Sequence, residues 1–153
     1  VHYANRLHIF VYDTKTLNIA EGALAYEAKV LIEQGESFEN VAKKLDDLRR
    51  RSEFLFTLSD LDYIIRNKKL SAPAAFVANL FDIKPIMQIN QIGEIIAVEK
   101  VRKLEKTLTT MGKTVEKLAA NQPAFIYLTD TGHHESTEYF KKILATHFAF
   151  WLA

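Results

Sequence analysis

The sequence predicts an α/β fold in which short strands alternate with helices in packed layers. Three observations carry this. Short β-branched and aromatic runs recur between longer stretches of helical periodicity. Leu104, Leu108, Met111, Val115 and Leu118 recur every four and three residues, the spacing of one helix face. Residues 84–89 and 94–101 flank the turn Asn90-Gln91-Ile92-Gly93, so a β-hairpin is expected near 84–101.

The elements follow in order. Residues 7–12 are β-branched and aromatic and predict a strand, followed by a polar loop over 13–18. Asn18 and Glu21 have capping-box spacing, and Leu24, Ala28, Leu31 and Ile32 mark one face of a helix that stops at Gly35. Ser37 is placed to cap a second helix with an apolar face of Val41, Leu45 and Leu48. Its last turn, Arg49-Arg50-Arg51, suits the negative end of the helix dipole. Residues 54–58 predict a second strand. Ser59 then starts a short helix carrying Leu61, Ile64 and Ile65, closed by Arg66-Asn67-Lys68-Lys69.

Ser71-Ala72-Pro73 signals another helix, because proline in the first turn gives up no hydrogen bond. That helix, 72–81, is apolar nearly all round, a pattern of deep burial or of a cavity wall. Ala72, Ala74, Ala75 and Ala78 leave room, while Phe76, Leu80 and Phe81 supply wall; on the residues alone a plain core helix is favoured. Beyond the hairpin, the helix from Leu104 ends at Asn121-Gln122-Pro123. A strand over 124–129 and a last helix over 135–148, with Phe140, Ile143, Leu144 and His147 on one face, complete the set.

A length of 153 residues suits one domain with a sizeable core. With 48% hydrophobic and 25% charged residues the composition is that of a folded protein. Twenty basic against nineteen acidic residues leave a net charge of +1, which gives no electrostatic case for nucleic acid or an anionic membrane surface. The basic groups at 49–51, 66–69 and 100–103 are diluted by Asp46, Asp47, Glu53 and Glu99 and are expected as solvated surface. The absence of cysteine excludes disulfides and thiolate metal sites and fits a reducing, cytoplasmic setting. No apolar run approaches the ~20 residues of a membrane helix, and no leader pattern opens the chain. Val1 at one end, with Phe148, Phe150, Trp151 and Leu152 at the other, suggests a piece of a longer polypeptide.

Candidate chemistry is sparse. Asp130-Thr131-Gly132-His133-His134-Glu135 has metal-ligand types, but adjacent histidines diverge, unlike an i, i+4 pair. The expectation there is a strand-to-helix turn capped by Asp130 or Thr131, with no metal. There is no Gly-x-Ser-x-Gly elbow and no Gly-rich phosphate loop, and His2, His8 and His147 lack a sequence neighbour that assigns them a role. No catalytic residue is expected, so this is not read as an enzyme.

The order of segments resembles the DegV family. Tyr12-Asp13-Thr14 through Glu21-Gly22 is similar to the elements that open the second half of its members. Leu58-Ser59-Asp60-Leu61-Asp62-Tyr63 resembles their Asp-Thr-Leu-x-Tyr-Leu. Ser71-Ala72-Pro73-Ala74-Ala75, then Leu80-Phe81-Asp82-Ile83-Lys84-Pro85-Ile86, is similar to their Ala-rich helix and Asn-Ile-Lys-Pro-Ile segment. Glu99-Lys100-Val101-Arg102 matches Glu-Lys-Val-Arg, and the likeness runs from about His8 to Phe148.

The resemblance implies a two-domain α/β family that holds a long-chain fatty acid between its domains. In several bacteria its members act as the non-catalytic carrier subunit of a fatty acid kinase. This chain would then be most of the C-terminal, lipid-binding half, lacking the N-terminal domain and the closing Gly-x-His-x-Gly-Pro-Gly segment. The fatty acid would be its ligand, with no further cofactor, and the kinase catalytic subunit its partner. By position and apolarity the acyl chain would run against Phe56, Leu61, Ala75, Phe76, Leu80, Phe81 and Ile86, with Lys69 and Arg102 toward the head group or partner. Two departures stand out. Asn67-Lys68-Lys69-Leu70 occupies the place of Gly-Gly-Arg-Ile, keeping charge but losing guanidinium geometry, and Lys103-Leu104 stands where Gly-Arg is usual. The alternative is an α/β interaction module whose apolar helix is merely core.

Overall fold

The structure is a computed structural model that describes residues 9–71, 83–120 and 122–148. The chain divides into two compact units, Val1–Ser52 and Glu53–Ala153, where the sequence is read as one domain over 1–153.

The first unit is a helical hairpin of α1 (Asn18–Glu33) and α2 (Phe38–Arg51). Leu24 and Leu31 of α1 bury against Val41 and Leu45 of α2, with Tyr12, Ala28 and Leu48 packed at the margin. The stop at Gly35 is as expected. Its φ of 81° suits glycine, and the turn is a Schellman motif, with Glu36 N–H donating to Leu31 O and Gly35 N–H to Ile32 O. Ser37 Oγ accepts from Asn40 N–H at 3.3 Å and caps α2. The start of α1 differs. The capping position is Leu17, no side chain caps it, and Asn18 itself takes a left-handed φ of 57°. The expected Asn18–Glu21 box is therefore not made. Tyr12 Oη donates to Asp46 Oδ1 at 3.0 Å, and burial followed by that carboxylate raises the phenol pKa.

The second unit contains a sheet of β1 (Leu55–Phe56), β2 (Leu70–Ser71), β3 (Ile86–Ile89) and β4 (Ile95–Glu99), in the order β1-β3-β4-β2. β3 pairs antiparallel with β1 and β4, while β2 lies parallel to β4. The expected hairpin is β3–β4. Asn90 Oδ1 accepts from the N–H groups of Ile92 and Glu94, and Gly93 supplies the positive φ of 88° the turn needs. The helices are α3 (Asp62–Arg66), α4 (Leu104–Ala119) and α5 (His134–His147).

Successive strand residues face opposite sides, and the core follows that parity. Ile86 joins Val101, Leu108, Met111, Phe140 and Leu144 on the α4/α5 side. Met87 joins Leu61 and Ile64 on the α3 side. The sheet is thus sandwiched between helices, the layered α/β arrangement the periodicities predict.

Two expected strands are not formed as ladders. Residues 9–12 and 123–130 belong to no strand. Over 124–129 the period of two survives: Ile126 and Leu128 pack on the α4/α5 core, while Phe125 is 94% exposed and Tyr127 about half exposed. Composition sets this alternation, but a ladder also needs a neighbour, and among the described residues none pairs with it. The expected strand 54–58 shortens to Leu55–Phe56, and β2 was not foreseen. The predicted helix 72–81 lies outside the described residues.

Candidate functional site

Three separated stretches of sequence, 58–63, 83–86 and 99–102, meet at one end of the sheet. Phe56 pairs with Met87, so the chain after β1 runs antiparallel back along residues 86 to 83. Ile86 pairs with Glu99, and Ile83 bridges Arg102. Lys84 is the junction. Its N–H donates to Val101 O at 2.8 Å, its carbonyl accepts from Thr107 Oγ1 at 2.7 Å, and its Nζ donates to Ser59 O at 2.5 Å. The next residue, Pro85, is fully buried and has no N–H to leave unpaired.

Beside this junction lies an apolar cluster on the α3 face. Leu61, Ile64 and Met87 are buried, and Phe56, Leu58, Ile65, Leu70 and Ile95 pack around them partly exposed. The rings of Phe54 and Phe56 stack at 5.4 Å. Thr57, between two members of this cluster, buries its Oγ1 with no hydrogen-bond partner among the described residues.

The residues expected to face lipid divide. Phe56 and Leu61 share the α3-side cluster. Ile86 is fully buried on the opposite face, among α4 and α5, and Met87 takes the place beside Phe56 and Leu61. Ile86 and Met87 are both apolar, so the sequence offers no parity to choose between them, and the register shifts between these two residues. Ala75, Phe76, Leu80 and Phe81 lie outside the described residues.

Lys69 and Arg102 are both exposed and are not brought together. Leu70 pairs with Ile95, so Lys69 sits at the start of β4, whereas Arg102 lies beyond its end. At strand rise the separation along the chain from Ile95 to Arg102 is roughly 20 Å. Their neighbours share a feature: Lys68 and Lys103 adopt left-handed φ values of 51° and 68°.

The histidine loop forms an anchored turn. Asp130 Oδ1 accepts from Gly132 N–H at 2.9 Å and His133 N–H at 3.0 Å, while Oδ2 accepts from Thr137 Oγ1 at 3.0 Å and faces His134 Nδ1 at 3.2 Å. The Gly132 bond is the first cause, and the Thr137 and His133 bonds further causes, of a carboxyl held below its usual range. By position the N-cap of α5 is His133, so Asp130 organises the turn without being the cap residue. Among the described residues no group of three His, Cys, Asp or Glu is placed to hold a metal ion. His147, which the sequence left without a partner, has Nδ1 2.9 Å from Glu116 Oε2 and links α5 to α4. Among the described residues no helix is long and apolar enough to cross a membrane.

A family profile described as "Uncharacterised protein, DegV family" matches residues 2–149. A DegV domain-containing protein of Clostridium acetobutylicum is 27% identical over 140 residues, covering 91% of this chain and 50% of that protein. A fatty acid-binding protein of Thermotoga maritima is 32% identical over 140 residues, covering 88% of this chain and 47% of its own length. The fatty acid binding DegV family protein of Streptococcus agalactiae superposes with a TM-score of 0.85 at 26% identity, covering 95% of this chain and 51% of that one. A stearic acid-binding protein of Eubacterium ventriosum gives a TM-score of 0.78 at 25% identity, with 95% and 50% covered. The chain spans about half the length of these relatives. With the profile spanning nearly every residue and the motif-bearing stretches gathered around Lys84, the chain belongs to the DegV family.

Proposed function

We propose that this chain holds the hydrocarbon tail of a long-chain fatty acid, as most of the lipid-binding half of a non-catalytic acyl carrier that serves a fatty acid kinase in the cytoplasm. The observation that carries the reading is the apolar α3-side cluster, partly open at Phe56, Leu58 and Ile65, in a chain whose relatives of Thermotoga maritima and Streptococcus agalactiae are described as fatty acid-binding. Phe56 and Leu61 line the tail together with Ala75, Phe76, Leu80 and Phe81. Ile86 supports the sheet from behind.

Magnitudes define what this half can do alone. About ten buried methylenes contribute ~8 kcal/mol, within the ~4–15 kcal/mol lost in freedom on association. The tail alone is therefore held weakly, and the carboxylate needs contacts of its own. Arg102, at the sheet end where the motifs meet, is assigned to the head-group or partner side. Lys69, at the far end of β4, serves a separate contact. Mass spectrometry of the denatured whole protein, purified from a bacterial host, tests the reading. A co-purified long-chain fatty acid is expected, and its absence from folded protein overturns the proposal.

A further inference from the structure

We infer that Lys84 is a positioning residue for the apolar site: its ammonium is the polar tether that holds the segment 59–66, with Leu61 and Ile64, over the sheet. This rests on the tail-binding reading above. With five residues, α3 is too short to be stable by itself. Its hydrogen bonds are local: Ile65 N–H to Leu61 O, Asn67 N–H to Tyr63 O, Lys69 N–H to Ile64 O, and the Arg66–Asp62 pair. The hydrogen bond from Lys84 Nζ to Ser59 O, 25 positions apart, ties this segment to the sheet ahead of α3, and the pairing of β2 with β4 follows it in the chain.

Lys84 is suited to the task. Its backbone is fixed on both sides, N–H to Val101 and carbonyl to Thr107, so the side chain starts from a rigid point. The bond is charge-assisted, and stronger than a neutral one of the same geometry. Ser59 stands three residues before α3, so holding its carbonyl sets where Leu61 enters the cluster. Apolar contact alone is non-directional and leaves that entry free to shift.

The test uses the whole protein with Lys84→Met, which keeps the backbone bonds and the apolar stem, and Lys84→Arg, which restores a cationic donor. Hydrogen exchange is read on peptides covering 59–69 and on β3, β4 and α4, alongside release of cis-parinaric acid. Lys84→Met should speed exchange over 59–69 about tenfold and leave the other peptides within about twofold. Release should quicken about three- to tenfold, and Lys84→Arg should restore both. Unchanged exchange over 59–69, a uniform rise across the unit, no rescue by arginine, or faster exchange with unchanged release each overturns the inference. If the unaltered protein takes up no cis-parinaric acid, the tail-binding reading fails, while the exchange contrast still decides whether Lys84 holds the segment.

Discussion

Thr107 Oγ1 donates to the Lys84 carbonyl across 2.7 Å and pins the first turn of α4 to the chain two residues before β3. Thr107 is wholly buried, so water cannot replace it as a donor. Thr107→Val keeps the shape and removes the donor, leaving the carbonyl unsatisfied. Urea denaturation should show a loss of ~1–3 kcal/mol, with Thr107→Ser retaining more stability than valine.

Gly112 marks the close approach of α4 to α5. A Cβ built there would lie 2.6 Å from Ile143 Cγ2, a contact that forces one helix to move. Gly112→Ala would gain ~1 kcal/mol of helix propensity, but overpacking costs ~1–3 kcal/mol, so a net loss is expected. Adding Ile143→Ala removes the obstructing methyl. In a double-mutant cycle the pair should be less destabilised than the sum of the single changes.

Lys68 and Lys103 take positive φ, a region that a lysine side chain disfavours and glycine tolerates. Lys68→Gly and Lys103→Gly should each raise stability by ~0.5–1 kcal/mol. Thermal unfolding reads the change, and the gain should be larger at Lys103, whose ψ of 132° lies outside the left-handed helical basin.

Asp130 has a folded pKa below its ordinary value of 3.8. The unfolded chain therefore binds more protons over that window, and stability rises with pH through it. The contribution is complete above 3.8 and is lost as pH falls through the lower folded value. Asp130→Ala should flatten the acid limb of a stability–pH profile below about pH 4. An unchanged limb would show that the bonds to Gly132, His133 and Thr137 do not act through ionisation.

Sequence made the helical elements legible because their signals are local. The Gly35 stop, the Ser37 cap and the apolar stripe of α4 each need only a few neighbours to be read. Strands need a partner, so composition gave the alternation of 124–129 but not a ladder. The site was legible in the same measure. Of the residues assigned to the tail, Phe56 and Leu61 share a cluster while Ile86 packs on the opposite face, because parity within an all-apolar strand is set by its pairing and not by composition. In the sequence Lys84 is marked only as part of the Ile83-Lys84-Pro85-Ile86 segment. Its three hydrogen bonds reach residues 17 to 25 positions away, to Val101, Thr107 and Ser59, beyond any local pattern.

The exposed ring of Phe125 has a practical consequence for handling the protein. Residues 124–129 contain no charge, no glycine and no proline, and their backbone stands outside any ladder among the described residues. Such a stretch is a template onto which another extended chain can add, with Phe125 and Tyr127 as ready cross-strand contacts. A preparation of this chain should therefore be kept dilute and cold, since the stretch invites self-association.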